Sequence, residues 1–213
     1  MSLTLANVID EVQALMSDPA GSIFTDSLVT NWIKQGVIDI TTKALCYELK
    51  SNTTALVDGQ MEYTVPTGCL KIYNAYIHQG ADVSMKGLVK INPKSIFHLT
   101  RVESGEPEHW YEFAGKVGVH PVFATGGARD TLGLHYSAVT DNVTLIPDLY
   151  QPLAILFATH KAKMMDRKPG QAAQLYQQYL NSLMFHRQDL YERISDAQDD
   201  FRIPDRTQAV GRG

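Results

Sequence analysis

The spacing of apolar residues changes twice along this chain, from helical to alternating near Ser51 and back to helical after Leu145. A chain patterned this way puts helices at both ends and a sheet between them, which excludes all-α and all-β architectures. Leu5, Val8, Ile9, Val12, Leu15 and Met16 fall at helical spacing, and Asp18-Pro19-Ala20-Gly21 stops that first helix. A second helix starts at Thr25 as N-cap, with Phe24 and Val29 placed as a hydrophobic staple and Asp26 complementing the helix dipole. Its apolar stripe runs through Leu28, Trp32, Ile33, Val37 and Ile40 to Leu45.

In the middle segment Met61, Tyr63 and Val65 share one face, and Asp58-Gly59 before them reads as a hairpin signal. Further strands are expected at Leu70 to Ile77, at His109 to Phe113 around an Ala114-Gly115 turn, and at Thr131 to Ala138. Gly80, Gly105, Pro107, Gly126 and Gly127 mark the connections. Asn92-Pro93-Lys94-Ser95 reads as an N-cap with Pro at N1, opening a short helix through Ile96, Phe97 and Leu99. After Ile146-Pro147-Asp148 the helical period returns with Leu149, Leu153, Leu156, Phe157, His160 and Met164, closed by Arg167-Lys168-Pro169-Gly170. A last long helix carries Leu175, Tyr176, Tyr179, Leu183, Met184, Leu190, Tyr191 and Ile194.

The expected fold class is therefore α+β: a bundle of N- and C-terminal helices (1–50 and 146–198), an inserted antiparallel β-rich domain (51–145) and an extended C-terminal tail (199–213). Beyond Ile194 the apolar spacing decays into Asp199, Asp200, Arg202, Asp205, Arg206 and Arg212 with Pro204, so no packed structure is expected there. With 213 residues, 44% of them hydrophobic, the chain can bury a sizeable core. The start, Met1 to Val12, lacks a basic segment followed by an apolar core, and no apolar stretch approaches the ~20 residues of a bilayer span, so neither a signal peptide nor a membrane segment is expected.

Charge disfavours nucleic-acid gripping. Lys and Arg number 19 against 23 Asp and Glu, a formal net charge of −4, and a DNA-binding module would need a basic face assembled by folding. Catalytic signatures are also missing. The histidines His78, His98, His109, His120, His135, His160 and His186 contain no HxH, HxxxH or HExxH, so no metal is expected, and the even spacing of His98, His109 and His120 reads as coincidence. His109 and His135 could still meet across a sheet. Cys46 and Cys69 show no CxxC spacing and read as reduced, packed thiols.

Ser104 lacks the strand-turn-helix setting of a nucleophile, and Thr125 to Arg129 lacks both the P-loop pattern and a following helix. Glu103, Glu106, Glu108 and Glu112 read as a solvated polar loop, and Trp110, Tyr111 and Phe113 as core plus one exposed face. These readings leave no enzyme and no cofactor. The rival reading is a small-ligand or carbohydrate-active β-domain with helical flanks, using His109, Glu112 or His135 in one cleft.

The order of motifs carries more than any one of them. Phe24-Thr25-Asp26-Ser27-Leu28 precedes Trp32-Ile33; then come Glu62-Tyr63-Thr64-Val65-Pro66 with Leu70-Lys71-Ile72, Gly105-Glu106-Pro107-Glu108-His109-Trp110-Tyr111, and the C-terminal helical pair. This order resembles the head-to-tail adaptors of short-tailed bacteriophages, the tail tubular protein A-like or head-tail connector proteins, over nearly the whole chain. The resemblance implies a structural virion protein of the neck, assembled in the host cytoplasm as a dodecameric ring between the portal protein and the tail nozzle protein. DNA would touch it only in passing through the lumen, and no membrane is involved. It also implies that the C-terminal segment docks on the portal, which at the matching positions gives Phe201, Arg202, Ile203, Pro204 and Arg206 as anchors, with Phe201 and Ile203 the only sizeable apolar groups.

Overall fold

A computed structural model describes residues 3–79, 85–94, 103–124, 126 and 129–200, with side chains of the last helix described as far as Arg187. Among the described residues four helices, α1 (Leu5–Leu15), α2 (Asp26–Ala44), α3 (Gln151–Met165) and α4 (Pro169–Asp200), precede and follow ten strands. The fold is α+β, as the double change of period requires. The described residues cluster into two compact units, one from Met1–Gly36 and Asp148–Gly213 and the other from Val37–Pro147.

In the first unit α3 is the central element. Leu153, Ala154, Ile155, Phe157, Ala158 and Ala162 are all buried, so the helix is covered on several sides and not on the single stripe expected for it. The alanines are the reason: small side chains let neighbouring helices approach from directions a bulkier residue would block. Gly36 of α2 serves the same approach from the other side, since a Cβ there would lie 3.0 Å from the Phe157 ring. Leu149 and Met164, expected on the buried side, are about half exposed at 47% and 53%.

The turn between α1 and α2 is tied by one carboxylate. Asp18 accepts from the backbone N–H of Ser22 (3.0 Å), Ile23 (2.8 Å) and Phe24 (2.8 Å). Those three donors hold its carboxyl below the usual carboxylate range. Gln13 closes the same turn by donating to the Phe24 carbonyl and to Asp26 Oδ1, both at 2.8 Å. Phe24 and Val29 are buried, as the staple predicts.

The second unit holds two four-stranded sheets and a short strand pair. Strands β1 (Glu48–Ala55), β10 (Thr131–Ala138), β3 (Cys69–His78) and β4 (Lys86–Gly87) form one sheet in that order. The other runs β2 (Glu62–Thr64), β8 (Lys116–His120), β7 (His109–Phe113), β5 (Val89–Lys90), and β6 (Ser104–Gly105) pairs with β9 (Val122–Phe123). Pairing is antiparallel except in the short β5·β7 and β6·β9 pairs. A single core draws Ile72, Ile77, Leu132 and Leu134 from the first sheet and Tyr63, Trp110, Val117 and Val119 from the second. Alternating residues of each strand supply it.

Local signals were read well, and one pairing was not. Ala114 and Gly115 both have positive φ (49° and 74°), the backbone that a two-residue hairpin between β7 and β8 demands. Asn92 Oδ1 accepts from Lys94 N at 3.0 Å at the head of a helical turn, as expected, while Ser95, Ile96, Phe97 and Leu99 lie outside the described residues. The Asp58-Gly59 turn exists, with Gly59 at φ 72°, but it is no hairpin: β1 pairs with β10 and β2 with β8, so the turn carries the chain from one sheet to the other. Val143–Leu145 forms a 3-10 turn, with Asn142 capping Thr144 N–H.

Candidate functional site

The side chains named for a catalytic or ligand-binding cleft do not converge. His109 stands on β7 opposite His120 of β8, in the sheet that does not contain His135. His135, on β10, faces Glu48 Oε2 at 2.8 Å and packs against the Tyr73 ring at 5.3 Å. Glu112 is paired with Lys90 Nζ at 3.0 Å. A cleft of about 230 Å³ between the start of β3 and the β7–β8 hairpin is lined by Val65, Cys69, Ile72, Glu112, Phe113 and Lys116, so of the three it takes only Glu112. Convergence of these side chains in one pocket would have favoured the rival reading, and the cleft brings no two of them together.

The other carboxylates are bound up structurally. Glu106 meets Arg129 at 2.5 Å and Lys86 at 3.4 Å, and Lys86 also reaches Glu108 at 3.7 Å. The hydrogen bond from Arg129 and then the charge of Lys86 hold the Glu106 carboxyl below its ordinary range, against the opposing effect of burial. These contacts fasten the β9–β10 connection to the segment before β7. Trp110 is buried and Phe113 half exposed, the expected division, with Lys90 Nζ 4.5 Å from the Trp110 ring centroid. The Cys46 thiol is pushed up to about 12 by burial, which keeps it protonated and inert. Among the described residues no three of His, Cys, Asp and Glu gather where a metal ion could sit, and no helix is long and apolar enough to cross a membrane.

What the first unit offers instead is a long helix with an uncovered apolar pair. At one end of the α3–α4 hairpin His160 Nδ1 meets the Ala172 carbonyl at 2.9 Å, and a ring cluster follows: Tyr176 at 4.9 Å from His160, Tyr179 at 5.5 Å from Phe157. At the other end the Tyr150 hydroxyl donates to the His186 carbonyl at 3.3 Å. From there the α4 backbone continues to Asp200, about 21 Å further at the helical rise. Met184 and Phe185, next to that last contact, are 70% and 71% exposed, the largest exposures of any bulky apolar residue described. Met184 was expected within the packed stripe. Its neighbour Leu183 takes the buried place instead, at 3% exposure, and the pair is turned outward.

Sequence reasoning missed this pair because Leu183, Met184 and Phe185 are consecutive apolar residues, and a helical period does not say which of them meets the neighbouring helix; it is Leu183 that is buried. Phe201, Arg202, Ile203, Pro204 and Arg206 lie just past the end of α4 and outside the described residues.

Comparison with known proteins gives three results. No curated protein matches the chain. Among solved structures the chain is similar to one of the neck of an empty GTA particle computed with C6 symmetry, at 12% identity over 74% of this chain and 76% of that one. The TM-score is 0.30, too loose a likeness to carry any part of the assignment. The profile of the SU10 adaptor protein family matches residues 3–205, through both compact units and past the end of α4. By that match over almost its whole length, the chain belongs to the SU10 adaptor protein family.

Proposed function

We propose that the protein is a structural head-to-tail adaptor at the neck of a phage particle, assembled as a dodecameric ring that joins the portal protein to the tail nozzle protein and lets DNA pass. The single observation that carries this reading is the adaptor-family match across residues 3–205. Physical features support it. A formal charge of −4 per subunit makes a ring with little tendency to hold DNA when acidic groups face its lumen. The uncovered Met184–Phe185 pair gives the first unit an apolar surface of the kind protein contacts use.

In this reading 1–50 and 146–198 form the bundle, 51–145 the insertion and 199–213 the docking tail. Phe201, Arg202, Ile203, Pro204 and Arg206 anchor that tail on the portal. Ordering such a segment costs roughly 1–2 kcal/mol per residue, which only the partner's surface offsets, so subunits stay apart from the portal until it is presented to them. Copies acting together in one ring then make the attachment multivalent.

The test is electron microscopy of the protein alone and mixed with portal-bearing heads, using the intact chain and a chain ending at Ser195-Asp196-Ala197-Gln198. The intact chain is expected to decorate the portal vertex as a ring, and the shortened chain to keep its circular dichroism and melting profile while losing attachment. Attachment by the shortened chain at undiminished affinity refutes the tail's role. An intact chain that neither forms rings nor binds portals refutes the adaptor assembly itself.

A further inference from the structure

Two imidazoles stand together on the β7–β8 hairpin and take no part in any contact described above. The Ala114-Gly115 turn sets His109 directly opposite His120, with ring centroids 6.4 Å apart and planes tilted by 38°. Residues paired in this way have Cβ atoms about 4.5–5.5 Å apart, so the backbone fixes both rings on one side of the sheet. Each ring is half exposed, yet Nδ1 of each is buried without a hydrogen-bond partner. Buried polar nitrogens are normally satisfied, and two orphans on facing residues point to a shared electron-pair acceptor that completes both.

A divalent metal ion has the right reach. With a metal–nitrogen bond of about 2.0–2.1 Å, a ring centroid lies about 3.2 Å from the ion, so two imidazoles on one ion have centroids about 4.5 Å apart at a right angle, about 5.2 Å at the tetrahedral angle and about 6.4 Å when opposed. The observed separation is at the open end of that range, and small χ rotations of half-exposed rings close it. The neighbouring position on β5, opposite His109, is Val89, which is 62% exposed, so the row of side chains is open to solvent.

We propose that His109 and His120 form a two-histidine clip for a late first-row divalent ion such as Cu²⁺, Ni²⁺ or Zn²⁺, the ions imidazole favours. Water fills the remaining positions, since no third protein ligand gathers there among the described residues. The clip ties β7 to β8 and stabilises the β-rich unit in proportion to free metal. It rests on the hairpin register, the ring separation and the two orphaned nitrogens, none of which the adaptor reading uses, so its failure leaves that reading untouched.

The test uses the intact chain, freed of metal with a chelator and titrated with ZnCl₂, NiCl₂ and CuCl₂ by calorimetry and thermal melting. One ion per chain is expected, with a melting temperature that rises with metal, and Cu²⁺ should show a two-nitrogen pattern in electron paramagnetic resonance. Losing a ligand costs at least what losing a ligand's own hydrogen-bond partner does, so H109Q and H120Q should each weaken binding by roughly 10- to 100-fold or more, and H135Q should leave it unchanged. Equal binding by wild type and H120Q, or no binding by wild type at millimolar metal, overturns the proposal. Zn²⁺ protection of both rings from diethyl pyrocarbonate in the unsubstituted chain reads the same contact where a variant fails to fold. Modification of both rings at an unchanged rate also overturns it.

Discussion

Replacing Gly118 with alanine tests the packing of the β7–β8 hairpin at one atom. A Cβ at Gly118 would fall inside 3.0 Å of Cζ, Cε1 and Oη of Tyr111, a separation real Cβ atoms do not show. Non-bonded carbons sit about 3.5–4.0 Å apart, so the ring must move by more than about 1 Å. Tyr111 is 0% exposed and has no open side to move into. Overpacking of this kind costs about 1–3 kcal/mol, and three atoms striking one ring argue for the upper end. Alanine regains about 0.4–1 kcal/mol by restricting the unfolded chain. If the ring is expelled instead, the loss approaches the ~3–5 kcal/mol of deleting a buried aromatic. The expected net destabilisation is therefore about 2–4 kcal/mol. Urea unfolding followed by Trp110 fluorescence in a W32F background reads it locally, since Trp110 is buried in the same hairpin. In a Y111L background the ring is gone, and G118A should cost less than about 0.5 kcal/mol, a coupling of about 1.5 kcal/mol or more. G118A within 0.5 kcal/mol of the parent (a coupling threshold of about that size separates neighbours from independent sites), or additivity with Y111L, refutes the reasoning.

Two further outcomes follow from single side chains. Asp18 has its carboxyl depressed by three backbone donors, so its contribution is present above the unfolded value of about 4 and is lost as pH falls through the lower folded value. The wild-type melting temperature should therefore drop more steeply than that of D18N below about pH 4, and parallel curves would remove Asp18 as the cause. Cys46, with its thiol at about 12, should resist an aromatic disulfide reagent at pH 8 in the folded protein and react after denaturation, while half-exposed Cys69 labels first; equal native rates contradict this.

Turn chemistry and period were legible because each is set by a few adjacent residues. The Thr131–Ala138 strand, the Ala114-Gly115 hairpin and the Asn92 cap all depend on local backbone preference. Asp58-Gly59 was misread for the same reason: glycine at φ 72° makes the turn, but which strand β1 joins is decided by the apolar face of β10, more than seventy residues on. The facing of His109 and His120 was within reach. Once Ala114 and Gly115 are the two turn residues, positions summing to 229 pair across the hairpin, as His109 and His120 do. Motifs of metal ligands within one strand do not cover a pair split between two, and the even spacing of His98, His109 and His120 carries no information about that facing.

The family was readable from the order of elements and not from a site, and the geometry explains why. A catalytic centre leaves polar groups aimed into a shared cavity with perturbed affinities for protons. Here the candidates are spent on structural partners: Glu106 on Arg129 and Lys86, Glu112 on Lys90, His135 on Glu48. Each of these contacts fastens neighbouring strands or connections. Among the bulky apolar groups left outside, Met184 and Phe185 are the most exposed described, and they lie on α4 beside the Tyr150–His186 hydrogen bond. Contact surfaces concentrate their energy on a few such side chains, which follow no signature spacing. A chain of this type is therefore recognised by the order of its elements, and the adaptor-family match accordingly spans residues 3–205, both compact units included.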